Sequence, residues 1–171
     1  MINYLTGDAT NPQGNGNKLI PHIVNDKGGW GAGFVLALSR KWTQPEKEYR
    51  KWFRFGHGDG NPKFELGNVQ FVSVEKDIIV ANMIAQTLGY TIEECVDPVT
   101  YMTANISVPP IRYDALKKCL EKVNSMAISM NATIHAPRFG SQLAGGSWSE
   151  IEKIINEIIT VDVYIYDLPK F

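Results

Sequence analysis

Residues 22–34 of the chain have the sequence HIVNDKGGWGAGF, which joins an apolar, β-prone segment to a segment with helical periodicity. A polar corner comes first, and four glycines then surround a single tryptophan. Backbone N–H groups at such a corner are unpaired and lie at the positive end of the following helix, so together they can bind an anion. Glycine also leaves these amides open, because no Cβ blocks an approaching phosphate. A plain tight turn would use the same glycines, and that alternative stays open here.

A second glycine-rich loop, PRFGSQLAGGS at 137–147, also runs from an apolar strand directly into a helical segment. Ligands of α/β sheets bind beyond the carboxyl ends of the strands. Two such loops at one edge of a sheet fit a diphosphate held from both sides. Neither G-x-G-x-x-G nor G-x-x-x-x-G-K-[ST] is present, which disfavours a dinucleotide-binding fold and a P-loop NTPase.

Apolar strands alternate with helical segments along the chain, and this alternation predicts a three-layer α/β/α sandwich. The stretch 88–110 has no clear periodicity and is interpreted as a loop. The predicted strands cover 2–6, 19–25, 69–74, 78–84, 132–136 and 161–168, and the predicted helices cover 32–42, 46–55, 112–130 and 148–159.

Composition limits the function classes. The 171 residues suit one domain, 44% are hydrophobic, 20% are charged, and the net charge of −1 gives no electrostatic footprint for general nucleic-acid binding. No apolar run is long enough to span a bilayer. The first residues lack the pattern of a signal peptide. We therefore expect a cytoplasmic protein that does not contact membranes, with Cys95 and Cys119 as reduced thiols.

The order of these motifs resembles the macrodomain family, whose members bind ADP-ribose. The resemblance covers nearly the whole chain, from GDAT near the N-terminus through HIVNDKGGWGAGF and VANMIAQ to HAPRFGSQLAGGSW. It implies a single macrodomain over residues 1–171, with a mixed central sheet between two helical layers. It also implies ADP-ribose or a derivative as ligand, no cofactor, nucleic acid only as a modified substrate, and a monomer.

The family motifs map onto this sequence residue by residue. Asp8 and Ala9 correspond to the adenine-binding corner, and Asn25 to the residue beside the distal ribose. The two glycine-rich loops correspond to the phosphate loops. Trp30 either flanks the diphosphate or packs under its loop. The substrate-binding residues that the resemblance implies are Asp8, Ala9, Gly29, Trp30, Gly31, Ala32, Gly33, Gly140, Ser141, Gln142, Leu143, Ala144 and Gly145.

Within the family, the sequence is most similar to the branch that dephosphorylates ADP-ribose-1″-phosphate and to relatives that remove ADP-ribose from proteins. Those relatives use a Lys after the fourth strand and an Asp in the second glycine loop, where this chain has Gln86 and Ala144. That difference argues against their covalent mechanism and leaves hydrolysis by an activated water open. We expect a phosphatase, with a hydrolase of ADP-ribosylated macromolecules or a non-catalytic binding module as alternatives.

Hydrolysis of a phosphomonoester needs an attacking water, a proton for the leaving group and stabilisation of the phosphoryl charge. His22, His57 and His135 form no metal-binding pattern, so backbone amides are expected to supply the charge stabilisation without a metal. His22 is the candidate general acid and base. Asn25 is expected to hold the distal ribose hydroxyls and to orient the water, and Asp26 is expected to set the His22 tautomer or to act as the base. A buried strand histidine and a turn asparagine are the alternatives.

Overall fold

The computed structural model describes residues 2–57, 60–141 and 143–170. The described residues form eight strands and four helices. In chain order these are β1 (Ile2–Thr6), β2 (Asn17–Asn25), α1 (Phe34–Lys41), α2 (Gln44–Phe55), β3 (Val69–Glu75), β4 (Ile78–Gln86), β5 (Thr91–Val96), β6 (Thr103–Val108), α3 (Tyr113–Met130), β7 (Ala132–Ala136), α4 (Trp148–Ile158) and β8 (Val163–Asp167).

Six of these strands form one mixed sheet in the order β1-β8-β7-β2-β4-β3. All neighbours are parallel except β3 and β4, which are antiparallel and joined by a short turn. Helices α3 and α4 pack on one face, and α1 and α2 pack on the other. The predicted three-layer α/β/α sandwich with a mixed central sheet is confirmed.

Strand β4 shows why the sequence places helices on both faces of the sheet. Ala81 and Met83 belong to the core beneath α3 and α4, whereas Val80 and Ile84 belong to the core beneath α1 and α2. Successive side chains of a strand point to opposite faces, so a strand that is buried on both faces has a continuous apolar sequence. Burial of one such side chain stabilises the fold by roughly 1.5–3 kcal/mol.

Strands β2 and β7 diverge before they reach the carboxyl edge of the sheet. They pair only from Asn17 to Leu19, although β2 continues to Asn25 alongside β4. Pro21 has no N–H to donate, and it is tolerated inside a central strand because pairing with β7 has already ended there. The divergence opens a gap between two strands that are both followed by glycine-rich loops.

The structure corrects some of the predicted boundaries. Helix α1 begins at Phe34 and not at residue 32, because Gly33 has a φ of +80° and cannot be helical. Helix α2 begins at Gln44, before Pro45, since proline is accepted in the first helical turn.

The stretch 88–110 is not the predicted loop. It contains β5 and β6, which pair antiparallel as a two-stranded sheet of their own. Exposed Cys95 in β5 and buried Cys119 in α3 are both free thiols, as expected. Among the described residues, no helix combines the length and apolarity needed to cross a membrane.

Candidate functional site

The two glycine-rich loops meet at the carboxyl edge of the sheet. Residues 26–33 follow β2, residues 137–147 follow β7, and these strands have just diverged. A Cβ added to Gly33 would lie 3.3 Å from Cδ1 of Leu143, so the loops are in direct reach of each other. Leu143 itself is 63% exposed. The structure therefore brings together the two predicted phosphate loops.

Asn25 shapes the first loop from within. Its Oδ1 accepts hydrogen bonds from the backbone N–H of Lys27 at 2.9 Å and of Gly29 at 3.0 Å, and its Nδ2 donates to the carbonyl of Gly29 at 3.0 Å. The hydroxyl of Tyr49 donates to the carbonyl of Asn25 at 2.6 Å. This local bonding is typical of an asparagine that replaces a backbone turn. Asn25 therefore stabilises the turn in the free protein, and its contact with the distal ribose stays a prediction.

The structure gives a different explanation for glycine at each of three positions in the first loop. A Cβ on Gly28 would overlap the ring of Phe53, which packs from α2. Gly33 has a positive φ and directly precedes α1. Gly31 is exposed, has no positive φ, and has open space where a Cβ would stand. Because the free protein does not require glycine at position 31, a requirement there would come from a ligand.

His22 lies beneath this loop and not in the cleft. It is 2% exposed, and its Nε2 lies 2.5 Å from Oδ1 of Asn82 on β4. Burial lowers the pKa of His22 from 6.5 to about 4, and the hydrogen bond to Asn82 opposes this only in part. The imidazole is therefore neutral at pH 7. The structure favours the alternative of a buried strand histidine.

Trp30 packs on His22 and belongs to the core beneath α1 and α2. The two rings meet edge to face with centroids 5.4 Å apart, and the indole Nε1 donates to Oγ of Ser39 at 2.8 Å. With 5% of its surface exposed, Trp30 packs under the loop, which was one of its two predicted roles. Its contacts hold the floor of the first loop in place.

Asp26, like His22 with its Nδ1, keeps a buried polar atom that has no hydrogen-bond partner among the described residues. Its backbone N–H donates to the carbonyl of Gln86 at 3.1 Å, which ties the loop to the end of β4. Its Oδ1 is buried and has no hydrogen-bond partner among the described residues. A buried carboxylate oxygen without a partner costs free energy, so such atoms mark sites that a ligand or water completes.

The predicted adenine corner lies at the opposite end of the sheet edge, after β1. Asp8 is exposed, and its Oδ1 accepts from both the N–H and the hydroxyl of Thr10 at 2.8 Å. Ala9 is buried. The hydroxyl of Tyr166 accepts from the N–H of Gln13 at 2.8 Å and thereby fixes the loop that follows this corner. Asp8 thus lies at the edge of the sheet, and its contact with adenine stays a prediction.

The second loop is closed by its own hydrogen bonds. Gly140 has a φ of +79°, and its carbonyl accepts from the N–H of Gly146 at 2.7 Å. Ser141 uses its hydroxyl to bond the carbonyl of Arg138 at 2.8 Å. Ala144 is buried, and its carbonyl accepts from Ile111 at 3.0 Å. Gln142, which was also predicted to bind substrate, lies outside the described residues.

Two supports of the site are not apparent in the sequence pattern. Tyr49 lies on the buried face of α2, and helical periodicity places it toward the sheet without revealing its hydrogen bond to Asn25. Arg138 forms a bidentate ion pair with Asp167, at 2.7 and 3.0 Å, which joins the second loop to the end of β8. Across residues 2–57, 60–141 and 143–170, no group of three or more His, Cys, Asp or Glu side chains could hold a metal ion.

Comparison with known proteins identifies the fold. A protein of unknown function from Bacteroides thetaiotaomicron superposes with a TM-score of 0.80 at 46% identity, covering 96% of this chain and 98% of that chain. A macrodomain protein from Streptomyces coelicolor gives a TM-score of 0.77 at 42% identity, covering 98% and 99%. The Thermosipho africanus DarTG protein in complex with ADP-ribose has the same fold, with a TM-score of 0.60 at 12% identity over 88% of this chain and 38% of that one.

Among curated proteins, the mouse chromodomain-helicase-DNA-binding protein 1-like is 27% identical over 99% of this chain. The chain spans only 18% of that relative's length. No protein-family model matches. The Streptomyces macrodomain, however, is similar over almost its full length, and its sheet and helices match those described above. The chain therefore belongs to the macrodomain family.

Proposed function

We propose that the chain binds ADP-ribose along the carboxyl edge of the sheet, with adenine at Asp8 and the distal ribose near Asp26. Strands β1 and β4 are four strand spacings apart in the sheet, or about 19 Å at about 4.8 Å each. The glycine loops lie between these ends. The single observation that carries the proposal is the contact of the loops across the gap between β2 and β7, because it offers amides to a diphosphate from two sides. ADP-ribose bound to the DarTG protein of the same fold supports the choice of ligand.

We further propose that the site hydrolyses a substituent on C1″ of the distal ribose, with ADP-ribose-1″-phosphate as the first substrate. A water attacks phosphorus, the bond from phosphorus to the C1″ oxygen breaks, and ADP-ribose and phosphate leave. Asp26 takes a proton from the water, and the leaving oxygen gains a proton from solvent. His22 holds the loop above it and does not transfer protons. The unpartnered Oδ1 of Asp26 supports its role as base, whereas the equally unpartnered Nδ1 of His22 lies on a side chain that is only 2% exposed.

A second candidate substrate is ADP-ribose linked to a macromolecule. The observation that favours it is the exposed sheet of β5 and β6, which leaves the body directly after β4, at the distal-ribose end of the edge. A small phosphate ester needs no such surface. The same carboxylate and water would serve either substrate.

The test compares wild type with Asp26→Asn and with His22→Gln. Phosphate release from ADP-ribose-1″-phosphate should fall at least about a hundredfold in Asp26→Asn, in the range ascribed to a general base. The Kd for ADP-ribose should change by less than about threefold. His22→Gln should keep most of the rate. No phosphate release by wild type would reject the phosphatase, and a larger loss in His22→Gln than in Asp26→Asn would reverse the two roles.

A further inference from the structure

Strands β5 and β6 form a hairpin, residues 88–108, that projects from the body and is called the arm below. Every residue of β5 is exposed, and so is every residue of β6 except Val108. Among its apolar side chains, Ile92 is 75% exposed, Tyr101 79% and Met102 71%. Large exposed apolar surfaces on soluble proteins often mark sites that bind a partner.

The arm is fixed at its base and is not a loose tail. Gln86 forms a bridge with Ile111, and the N–H of Thr87 donates to the carbonyl of Pro110 at 3.0 Å. Arg112 uses its guanidinium to bond the carbonyl of Pro109 at 2.7 Å. These bonds set the direction in which the arm leaves the body.

The base of the arm also contacts the second glycine-rich loop. A Cβ on Gly145 would lie 2.7 Å from Cβ of Pro109, and the hydroxyl of Tyr90 occupies the same space. On its other side, the arm follows Gln86, whose carbonyl accepts from Asp26. The base of the arm therefore touches both loops, and it leaves the sheet at β4, on the side of the loops away from Asp8. Whatever is attached to the distal ribose would leave the cleft toward the arm.

The charge of the arm distinguishes between classes of macromolecule. Residues 87–111 contain Glu93, Glu94 and Asp97 and no Lys, Arg or His, so their formal charge is −3. Nucleic acid carries a phosphate on every nucleotide and is repelled by such a surface. Lysine, arginine and apolar side chains of a polypeptide are instead complementary to it.

We propose that the arm binds the polypeptide that carries ADP-ribose, and that it selects modified sites flanked by basic and apolar residues. This inference rests on the proposed ADP-ribose site and on the second candidate substrate. The arm holds the polypeptide beside the distal ribose, while the glycine-rich loops hold the diphosphate. A modified nucleic acid and a second copy of this chain are the competing occupants.

The test uses a charge-reversed variant and a matched control. Glu93→Lys with Glu94→Lys changes the arm, whereas Glu121→Lys with Glu157→Lys makes the same change in net charge on exposed positions of α3 and α4. The probes are free ADP-ribose, a synthetic peptide with ADP-ribose on one serine flanked by lysine and leucine, the same peptide flanked by glutamate, and a DNA oligonucleotide that carries ADP-ribose. The Kd of each is measured at low and at physiological salt.

Wild type and the control variant should bind the basic peptide at least about tenfold more tightly than the acidic one, and less so at higher salt. The arm variant should lose this preference, while its Kd for free ADP-ribose stays within about twofold of wild type. The inference is overturned if the arm variant keeps the preference or if wild type prefers the oligonucleotide. It is also overturned if light scattering shows a wild-type dimer that the arm variant dissociates. Failure of wild type to bind free ADP-ribose would instead contradict the site itself.

Discussion

At the scale of single residues, the buried side chains beneath the first loop form a polar chain across three strands. His22 contacts Asn82, the Nδ2 of Asn82 donates to Oε1 of Gln70 at 3.1 Å, and Gln70 donates to the carbonyl of Glu48 in α2 at 3.0 Å. Because Nδ2 of Asn82 is the donor in this chain, its Oδ1 accepts from Nε2–H of His22, which assigns the tautomer. These buried groups support the first loop, and Asp26 is the residue that we propose acts on a water.

This burial of His22 predicts a pH dependence of stability. The unfolded imidazole takes a proton near pH 6.5, but the folded one does so only near pH 4. The unfolded state therefore binds more protons between these values, so stability is complete above pH 6.5 and decreases as pH falls toward 4. The loss due to His22 is about 3 kcal/mol. Urea unfolding at several pH values in this window measures how steeply the free energy of unfolding falls with pH. The slope for His22→Gln should be shallower than that of wild type, and the difference should correspond to at most one proton taken up on unfolding.

The control for this prediction is His57→Gln, in the exposed loop after α2. It should follow the wild-type curve. If His22→Gln lost stability with pH as steeply as wild type, then the imidazole would be protonated in the fold or open to water. That result would return His22 to consideration as an acid and base.

At the scale of elements, the end of α3 positions the strand that leads into the second glycine-rich loop. Helix α3 ends at Met130, and its C-cap residue Asn131, with a φ of 52° and a ψ of 48°, reverses the chain directly into β7. The N–H of Asn131 donates to the carbonyl of Ile128 at 3.1 Å. Strand β7 then leads into the second loop, so the end of α3 sets where that loop begins.

The left-handed conformation at this position predicts different costs for two substitutions. Asn131→Ala should lower the free energy of unfolding by about 1 kcal/mol, because a Cβ-bearing residue without a polar side chain disfavours this conformation. In a chain of this size, that is a fall in Tm of about 2–4 °C. Asn131→Gly should cost less, since glycine accepts the conformation. Equal losses in the two variants would contradict the role given to the backbone here.

The sequence pattern predicts strands with continuous apolar runs most accurately. The runs of β4 and β7 are recognisable because burial on both faces makes most of their positions apolar, and the polar side chains of Asn82 and His135 are buried as well. The arm could not be predicted in this way, since its exposed strands have no buried face and therefore no alternation to detect. Loop positions were predictable from glycine spacing, but the depth of His22 was not. Depth depends on which helix covers a strand face, and that is decided by tertiary packing.

At the scale of the whole molecule, the sheet order places the predicted adenine corner and Asp26 three strands apart along one edge. Asp8 follows β1, the second glycine-rich loop follows β7, and Asp26 opens the first glycine-rich loop after β2 and bonds the end of β4. The divergence of β2 from β7 makes the gap that the loops line. The central claim is that this gap binds the diphosphate of ADP-ribose through backbone amides.

Calorimetric titration of ADP-ribose into wild type and Gly31→Val tests this claim most directly. A Cβ at position 31 would lie more than 4 Å from the neighbouring atoms, and the backbone there has no positive φ. Gly31→Val should therefore unfold at the same urea concentration as wild type. Wild type should bind one ADP-ribose per chain, and Gly31→Val should bind at least about tenfold more weakly, a loss of about 1.4 kcal/mol or more. Absence of binding by wild type, or equal Kd values for the two proteins, would contradict the account.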